Sequence, residues 1–490
     1  MKKGMIKKRY GIIIILSALF VSILFLSAGC ATTQTAELKE DFYSSIQKIG
    51  NENDNIYQFT LPNGIKVYVF QQPKDEVDEQ STNFYKSVEV SYIFKNVPLC
   101  MHNLPAGTQN ALTSYLVAMP GKKYDTDKIS ALLNMGYLLN FDLDINDDYI
   151  EYYVEGSSTH LSSYLTDIAA DMFSKTIATN INYQAWMKDF SKIANSYKYD
   201  LQYYSKRLAL TNAFYNTFYS ASLDTSDSYL KISYNSLSKL YSRLIQPKNL
   251  TIIVRGGKMS PSVIADILWE KFSFMKNRKT DIDNLTFTEV DRTKLSKKNL
   301  ETYSSSDSKR SLISCFFPGP LNTSKDYAPF NIACDVLNNK LFINVRIKNN
   351  LVYDIYSYVA SLNQSWGYIF LQTNNPENSM KIVKQTIKDL ITNGITEFDL
   401  ESFNNSLFTD YYLYSSYGKG KYYLFHDVVS LLNEQIDSYY ANFLKTYKNV
   451  TIAEVNEVIK KYFDYFYWGF IAPDANTIKN TDKSLFFLHP

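Results

Sequence analysis

The sequence predicts an α+β protein of two homologous halves, each a mostly antiparallel sheet with helices on one face. Three observations point there. Short runs with alternating apolar residues give way to longer stretches whose apolar residues recur every three to four positions, and this order occurs twice. Between the two series, residues 276–309 are rich in Lys, Asp, Ser and Asn and lack any apolar period, as expected of an interdomain linker. The chain also has the material for two cores, with 490 residues of which 45% are hydrophobic. Its 41 Tyr and 30 Phe favour β-rich packing over a ligand surface. The expected division is 56–275 for the first half and 310–490 for the second.

The first 29 residues are set aside as a signal segment. Lys2, Lys3, Lys7, Lys8 and Arg9 make a basic start, residues 12–26 are apolar, and Ser27, Ala28 and Gly29 lead into Cys30. This run resembles a bacterial lipoprotein signal. The resemblance implies a lipidated Cys30 at the mature amino terminus, a membrane anchor, and a place in the bacterial cell envelope, periplasmic or surface-facing. An uncleaved anchor is the alternative, since residues 11–31 come close to bilayer length. Residues 30–55 then form a lipidated tether. Removing residues 1–29 takes five positive charges and no negative ones from a net charge of +2, leaving −3. Nothing in that balance indicates a nucleic-acid surface. Beyond Cys30 only Cys100, Cys315 and Cys334 occur, with no CxxC pair, which argues against a zinc ribbon or a disulfide framework. Buried free thiols are expected instead.

In the first half, residues 65–70 and the alternating Val88, Val90, Tyr92 and Phe94 read as strands, and 146–148 as a hairpin turn. Leu161, Leu165, Ile168, Ala169, Met172 and Phe173 keep helical spacing. A helix over 236–245 is broken by Pro247 and followed by a buried strand at 250–254. The second half repeats this grammar: a strand in LISCFFPG, a helix over 328–337, strands over 352–360 and 367–372, and a helix carrying Met380, Val383, Ile387 and Leu390. It closes as the first half does, with a helix bearing Val455, Val458, Ile459 and Tyr462 that feeds the strand WGFIAP.

Residues 105–120, PAGTQNALTSYLVAMP, form the most informative stretch. Ala111, Leu112, Tyr115, Leu116 and Met119 can bury on one helix face, with Thr108 as N-cap and Pro120 as the stop. Asn110, Thr113 and Ser114 form a polar stripe at i, i+3, i+4, the spacing at which a His-x-x-Glu-His helix aims two ligands and a base at one zinc ion. With YQFTLPNGIKVYVF upstream and NFDLDINDDYIEYYVEG downstream, the stretch resembles the amino-terminal half of the insulinase/pitrilysin zinc peptidases, the mitochondrial-processing-peptidase type with its LuxS/MPP-like fold. The resemblance implies zinc as the family cofactor. It carries the two histidine ligands onto Asn110 and Ser114, the glutamate base onto Thr113, and the third ligand near Asn195 or Ser196. Amide and hydroxyl groups are no substitute for imidazole and carboxylate donors. The degenerate positions therefore predict no catalytic residues, no metal and no zinc cofactor.

The second half carries the stronger resemblance. In LFINVRIKNNLVYDIYSYVAS, the residues Leu341, Phe342, Arg346, Leu351, Tyr353 and Ser357 match the family motif, which implies substrate binding by Arg346 and Tyr353. In bacterial relatives of two subunit kinds, one chain brings the zinc helix and the other this Arg/Tyr pair. The chain resembles the second kind. The implied function is a non-catalytic subunit that binds peptide or unfolded polypeptide beside an active zinc-bearing homologous subunit. The alternatives are a structural scaffold lipoprotein and a metalloendopeptidase with a displaced zinc site built around His102 or His160.

Other constellations are weaker. Asp142, Asp144 and Asn146 alternate as in a calcium loop, but Asp147 stands where glycine is needed and Tyr153 where glutamate is. His102, His160, His426 and His489 are too far apart in sequence for a local metal motif. There is no G-x-S-x-G elbow, P-loop or dinucleotide fingerprint.

Overall fold

Two sheets form the protein's framework, and the computed structural model describes residues 38–49, 55–71, 87–118, 123–174, 183–256, 259–360, 362–416 and 445–487 of it. The signal segment, Cys30, Met119, Pro120, His426 and His489 lie outside these residues. The first sheet is built from β1 (Gln47–Ile49), β2 (Ile56–Thr60), β3 (Lys66–Phe70), β4 (Ser87–Phe94), β5 (Leu138–Ile145), β6 (Ile150–Ser157) and β7 (Leu250–Arg255). The second contains β8 (Leu300–Ser304), β9 (Ser311–Leu321), β10 (Val352–Ala360), β11 (Gln364–Thr373) and β12 (Tyr467–Ala472).

The strand orders are β1-β2-β3-β7-β4-β6-β5 and β10-β11-β9-β12-β8. In each sheet the closing strand pairs in parallel with an early one, β7 with β3 and β12 with β8. The other neighbours are antiparallel. Leaving out β1 and β2, both sheets run first, last, second, fourth, third. The repeated grammar of the sequence is therefore a repeated topology. Within the expected linker at 276–309 lies β8, the counterpart of β3. An edge strand hydrogen-bonded on one side and lined by Glu301 and Thr302 carries little apolar signal.

The longer helices of the first half are α1 (Thr108–Ala118), α2 (Thr126–Asn134), α3 (Thr166–Phe173), α4 (Tyr183–Ser196), α5 (Leu201–Ala213), α6 (Tyr234–Leu244) and α7 (Pro261–Phe272). Those of the second are α8 (Tyr327–Leu341), α9 (Pro376–Asn393), α10 (Glu397–Ser416) and α11 (Ile452–Tyr462). Alternate strand residues such as Val67, Val90, Val154 and Ile252 pack against Leu112, Ile168, Leu240 and Leu268 in the first core. Ile313, Ile369 and Phe470 meet Leu337, Val383 and Ile459 in the second. Capping boxes Ser233/Ser236 and Thr451/Glu454 start the helices that feed the two closing strands.

Helix α5 joins the halves. It lies across the second sheet on the side away from α8, where Ala209, Ala213 and Phe214 share a core with Phe316, Trp366, Tyr368 and Ile471. Close approach requires glycine at 469, since a Cβ there would stand 2.1 Å from the Ser205 carbonyl oxygen and 2.7 Å from the Ala209 nitrogen. Two further contacts secure the junction. Buried Arg243 donates to both oxygens of Asp281 (2.9 and 2.7 Å) and to the carbonyls of Cys100 and His102, tying the segment after α7 to the first half. These bonds, with Lys239, hold the Asp281 carboxyl well below the usual carboxylate range. The turn of the β5–β6 hairpin also meets that of its counterpart, β10–β11, where Asp148 accepts from Asn363. Among the described residues no helix is long and apolar enough to cross a membrane.

Candidate functional site: the α1 centre and the Arg346 turn

Helix α1 starts at a tight spot. Gly107 has φ +84°, and a Cβ on it would come within 2.7 Å of the Tyr229 ring and 2.9 Å of Asp224 Cβ. Thr108, expected as the N-cap, is the first helical residue, and its hydroxyl donates back to the Pro105 carbonyl (2.6 Å). The apolar face buries Ala111, Leu112, Tyr115 and Leu116 as the spacing predicts. On the polar stripe, buried Thr113 donates to the Gln109 carbonyl within the helix, and Ser114 is half-buried one position on.

Asn110 is held from outside the helix. Its Nδ2 donates to Tyr229 Oη (3.1 Å) and Asp224 Oδ2 (3.4 Å). Asp224 is 2% exposed and is the hub of the site. It accepts from the Tyr197 hydroxyl (2.8 Å) and the Tyr229 hydroxyl, and Arg207 Nη1 lies 2.9 Å from its Oδ1. Arg207 also donates to the Asp224 carbonyl and to Tyr203 Oη, and its guanidinium lies 4.6 Å from the Tyr197 ring centroid. Burial and then the Asp224 charge push the Tyr197 and Tyr229 phenols well above their ordinary range, so both remain donors. The third carried-over position is committed too, with Asn195 Oδ1 accepting from Ser226 Oγ (2.5 Å) on the five-residue helix after Asp224. Trp186 and Phe190 of α4 pack on Tyr115 and Tyr229, closing the cluster.

These residues do not fit zinc. The carboxylate that reaches Asn110 is neutralised by a guanidinium and carries three further hydrogen bonds, so little lone-pair capacity is left for a metal. Gln109 Oε1 is buried without a hydrogen-bond partner, a single neutral oxygen beside the stripe. Among the described residues no three His, Cys, Asp or Glu side chains cluster as metal ligands, including around His102 and His160. Cys100, Cys315 and Cys334 are free and buried, and burial pushes the Cys100 thiol up to about 12. In the supposed calcium loop, Asn146 Oδ1 accepts the Asp148 amide as an ordinary Asx turn.

The second candidate pair sits elsewhere. Helix α8 runs into a π-helical turn, Phe342–Ile347, that exposes Arg346 beside the Phe342 ring, 5.4 Å from its centroid. Tyr353 is 66% exposed at the start of β10, with the Arg310 guanidinium 4.4 Å from its ring centroid. The two thus follow one another along the approach to an edge strand, each stacked on its own neighbour. The sequence missed Asp224, Arg207 and Tyr229 because nothing local marks them. The one available signal was Gly107, whose need for space shows only once Tyr229 is in place.

The family model described as the peptidase M16 inactive domain matches residues 231–407. No curated protein matches the chain. Similar solved structures include a peptidase M16 inactive domain from Pseudomonas fluorescens, with 16% identity, a TM-score of 0.68, and coverage of 86% of this chain and 98% of that one. A putative M16-like peptidase from Alicyclobacillus acidocaldarius has 12% identity, a TM-score of 0.67, and coverage of 87% and 100%. The periplasmic protease PqqL from Escherichia coli has 10% identity, a TM-score of 0.63, and coverage of 88% of this chain but 46% of that one. At such identities the structures speak for the fold, and the likeness to the family model is confined to residues 231–407. With two halves of the same strand order and an α1 stripe of Asn110, Thr113 and Ser114 in place of a His-x-x-Glu-His helix, the chain has the fold of these M16 structures and is similar to the peptidase M16 inactive domain over residues 231–407.

Proposed function

We propose that the protein is a non-catalytic, peptide-binding subunit that completes the chamber of an active, zinc-bearing peptidase of the same fold. In this proposal it carries no zinc and is held at a bacterial envelope membrane by lipid on Cys30. The state of α1 is the main support: its ligand positions are neutral, and Asn110 is tied into the Arg207–Asp224 pair. A second support is the pair of outermost strands. β5 and β10 end their sheets; on β10 the Ser357 amide is already taken by Asn338 Oδ1 (2.8 Å), which leaves the start of the strand, around Tyr353, as the stretch where a peptide strand could be added. A peptide laid along β10 starts beside Tyr353 and Arg346. Arg346 offers a fork of donors to a carbonyl or carboxylate, and Tyr353 one more hydrogen bond.

The test is reconstitution. The mature chain is assayed for zinc and peptide cleavage alone, then with an active homologue carrying an intact His-x-x-Glu-His helix. Expected are no stoichiometric zinc, no cleavage alone, and turnover in the mixture above that of the partner. Arg346→Ala should lower that turnover by on the order of 10²-fold if the guanidinium meets developing charge, and by much less if it only holds the peptide. One tight zinc per chain with chelator-sensitive cleavage overturns the proposal. Normal turnover of assembled Arg346→Ala and Tyr353→Phe complexes replaces it with a scaffold role.

A further inference from the structure

The hairpin contact at the junction has chemistry of its own. The β5–β6 and β10–β11 hairpins are counterparts in the two halves, and their turns meet at one buried carboxylate. Asp148 is 3% exposed. It accepts from the Asn363 backbone amide, from Asn363 Nδ2 (3.0 Å) and from the Tyr219 hydroxyl (2.9 Å). Tyr219 Oη in turn accepts the Gln364 amide (3.0 Å), so two neighbouring amides of the second half end on one Asp–Tyr pair of the first. The Asp148 carbonyl is engaged too, accepting the Val97 amide (3.1 Å). No cation pairs with the Asp148 carboxylate among the described residues.

The facing groups are few. Asp147 in the same turn adds negative charge, and it faces Lys206, Arg207, Asp224 and Ser222. Tyr219 comes from the turn Phe218–Ser222, and among the described residues the second hairpin presents to Asp148 and Tyr219 the neutral Asn363 and Gln364. Tyr219 also lines a cavity of about 300 Å³ with His102, Glu289, Asp291 and Lys294.

We infer that Asp148 is a proton-controlled latch between the two halves, closed when its carboxyl is neutral and loosened when it ionises. Burial without a cation disfavours the carboxylate more than its three donors favour it, which pushes the carboxyl up to about 7. Once the turns part, Asp148 meets water and returns to the ordinary Asp range near 3.9. The closed form therefore binds the proton more tightly than the open form. Closure is strongest at acid pH, weakens as pH rises from about 4 to about 7, and is level above that. β5 enters one of the joined turns and β10 enters the other, so the latch sits where the outermost strands of the two sheets converge. Its loosening would widen the space between them. The latch concerns the halves of this chain and stands apart from any peptide or partner.

Hydrogen exchange of the Asn363 and Gln364 amides reads the latch directly. With the intrinsic pH effect removed, protection in the mature wild-type chain should fall on the order of 10- to 100-fold between pH 5 and pH 8. Asp148→Asn should abolish this dependence. Asn363→Ala keeps the backbone amide but removes a donor that favours the carboxylate, so it should move the transition to higher pH. His102→Gln should leave it unchanged. Level protection in the wild-type chain, or the same fall in Asp148→Asn, overturns the latch. Should Asp148→Asn fail to fold, the wild-type profile and the Asn363→Ala shift decide.

Discussion

Helices α1 and α8 occupy the same place in their halves, between the second and third strands of the shared unit, and bury different chemistry. α8 is a core helix in the plain sense, with Phe330, Ala333, Cys334, Val336 and Leu337 buried. α1 buries Thr108, Gln109 and Thr113 along with its apolar face. Neutral residues at the ligand positions have thus not turned α1 into a second α8. Its polar side still faces a polar partner, and that partner is a buried ion pair from two later segments. Burying Asp224 is tolerable because Arg207, Tyr197, Tyr229 and Asn110 satisfy it together.

The largest expected effect breaks that arrangement. Asp224→Ala leaves the Arg207 guanidinium buried without its carboxylate and should cost about 3–5 kcal/mol in denaturant unfolding. Adding Arg207→Met should recover part of that loss, because the unpaired charge goes with it. Full additivity of the two would show that the pair is not coupled.

Next is the other difference between the halves, the helix lying across the second sheet. Gly469→Ala should destabilise by about 3 kcal/mol, because the new methyl meets helix backbone that has no rotamer to change. A melting temperature unchanged by this substitution would mean that α5 can lift off the sheet.

The closing helices test the resemblance of the halves. Ser233→Ala and Thr451→Ala each remove one capping box and should each cost about 1 kcal/mol. Unequal losses would show that the symmetry of strand order does not extend to energetics. The smallest stability effect belongs to the second half's own site. Arg346→Ala should change stability by less than about 0.5 kcal/mol, because Arg346 is exposed and stacks on the exposed Phe342, while peptide turnover by the assembled complex falls.

Much of the fold was legible in the chain. Val88, Val90, Tyr92 and Phe94 marked β4 by alternation alone, and Val455, Val458, Ile459 and Tyr462 marked α11, because burying one face imposes a period that local sequence must carry. The neutral character of the α1 stripe and the Arg346/Tyr353 motif were equally local. Strand β8 escaped notice because an edge strand on a charged segment has little period to show. α5 was missed because three of its five buried positions are small, Ser205, Ala209 and Ala213, which allow close approach to a sheet that comes more than a hundred residues later in the case of Ser314. What surrounds Asn110 was decided by tertiary structure alone. Asp224 lies 114 positions away and Tyr229 lies 119 away, and neither belongs to a periodic run. The same holds for Asp148 and Asn363, which are 215 positions apart. Short-range patterns record which residues turn inward, whereas the partner of a buried polar group is set only when the folded chain brings distant segments within hydrogen-bond reach.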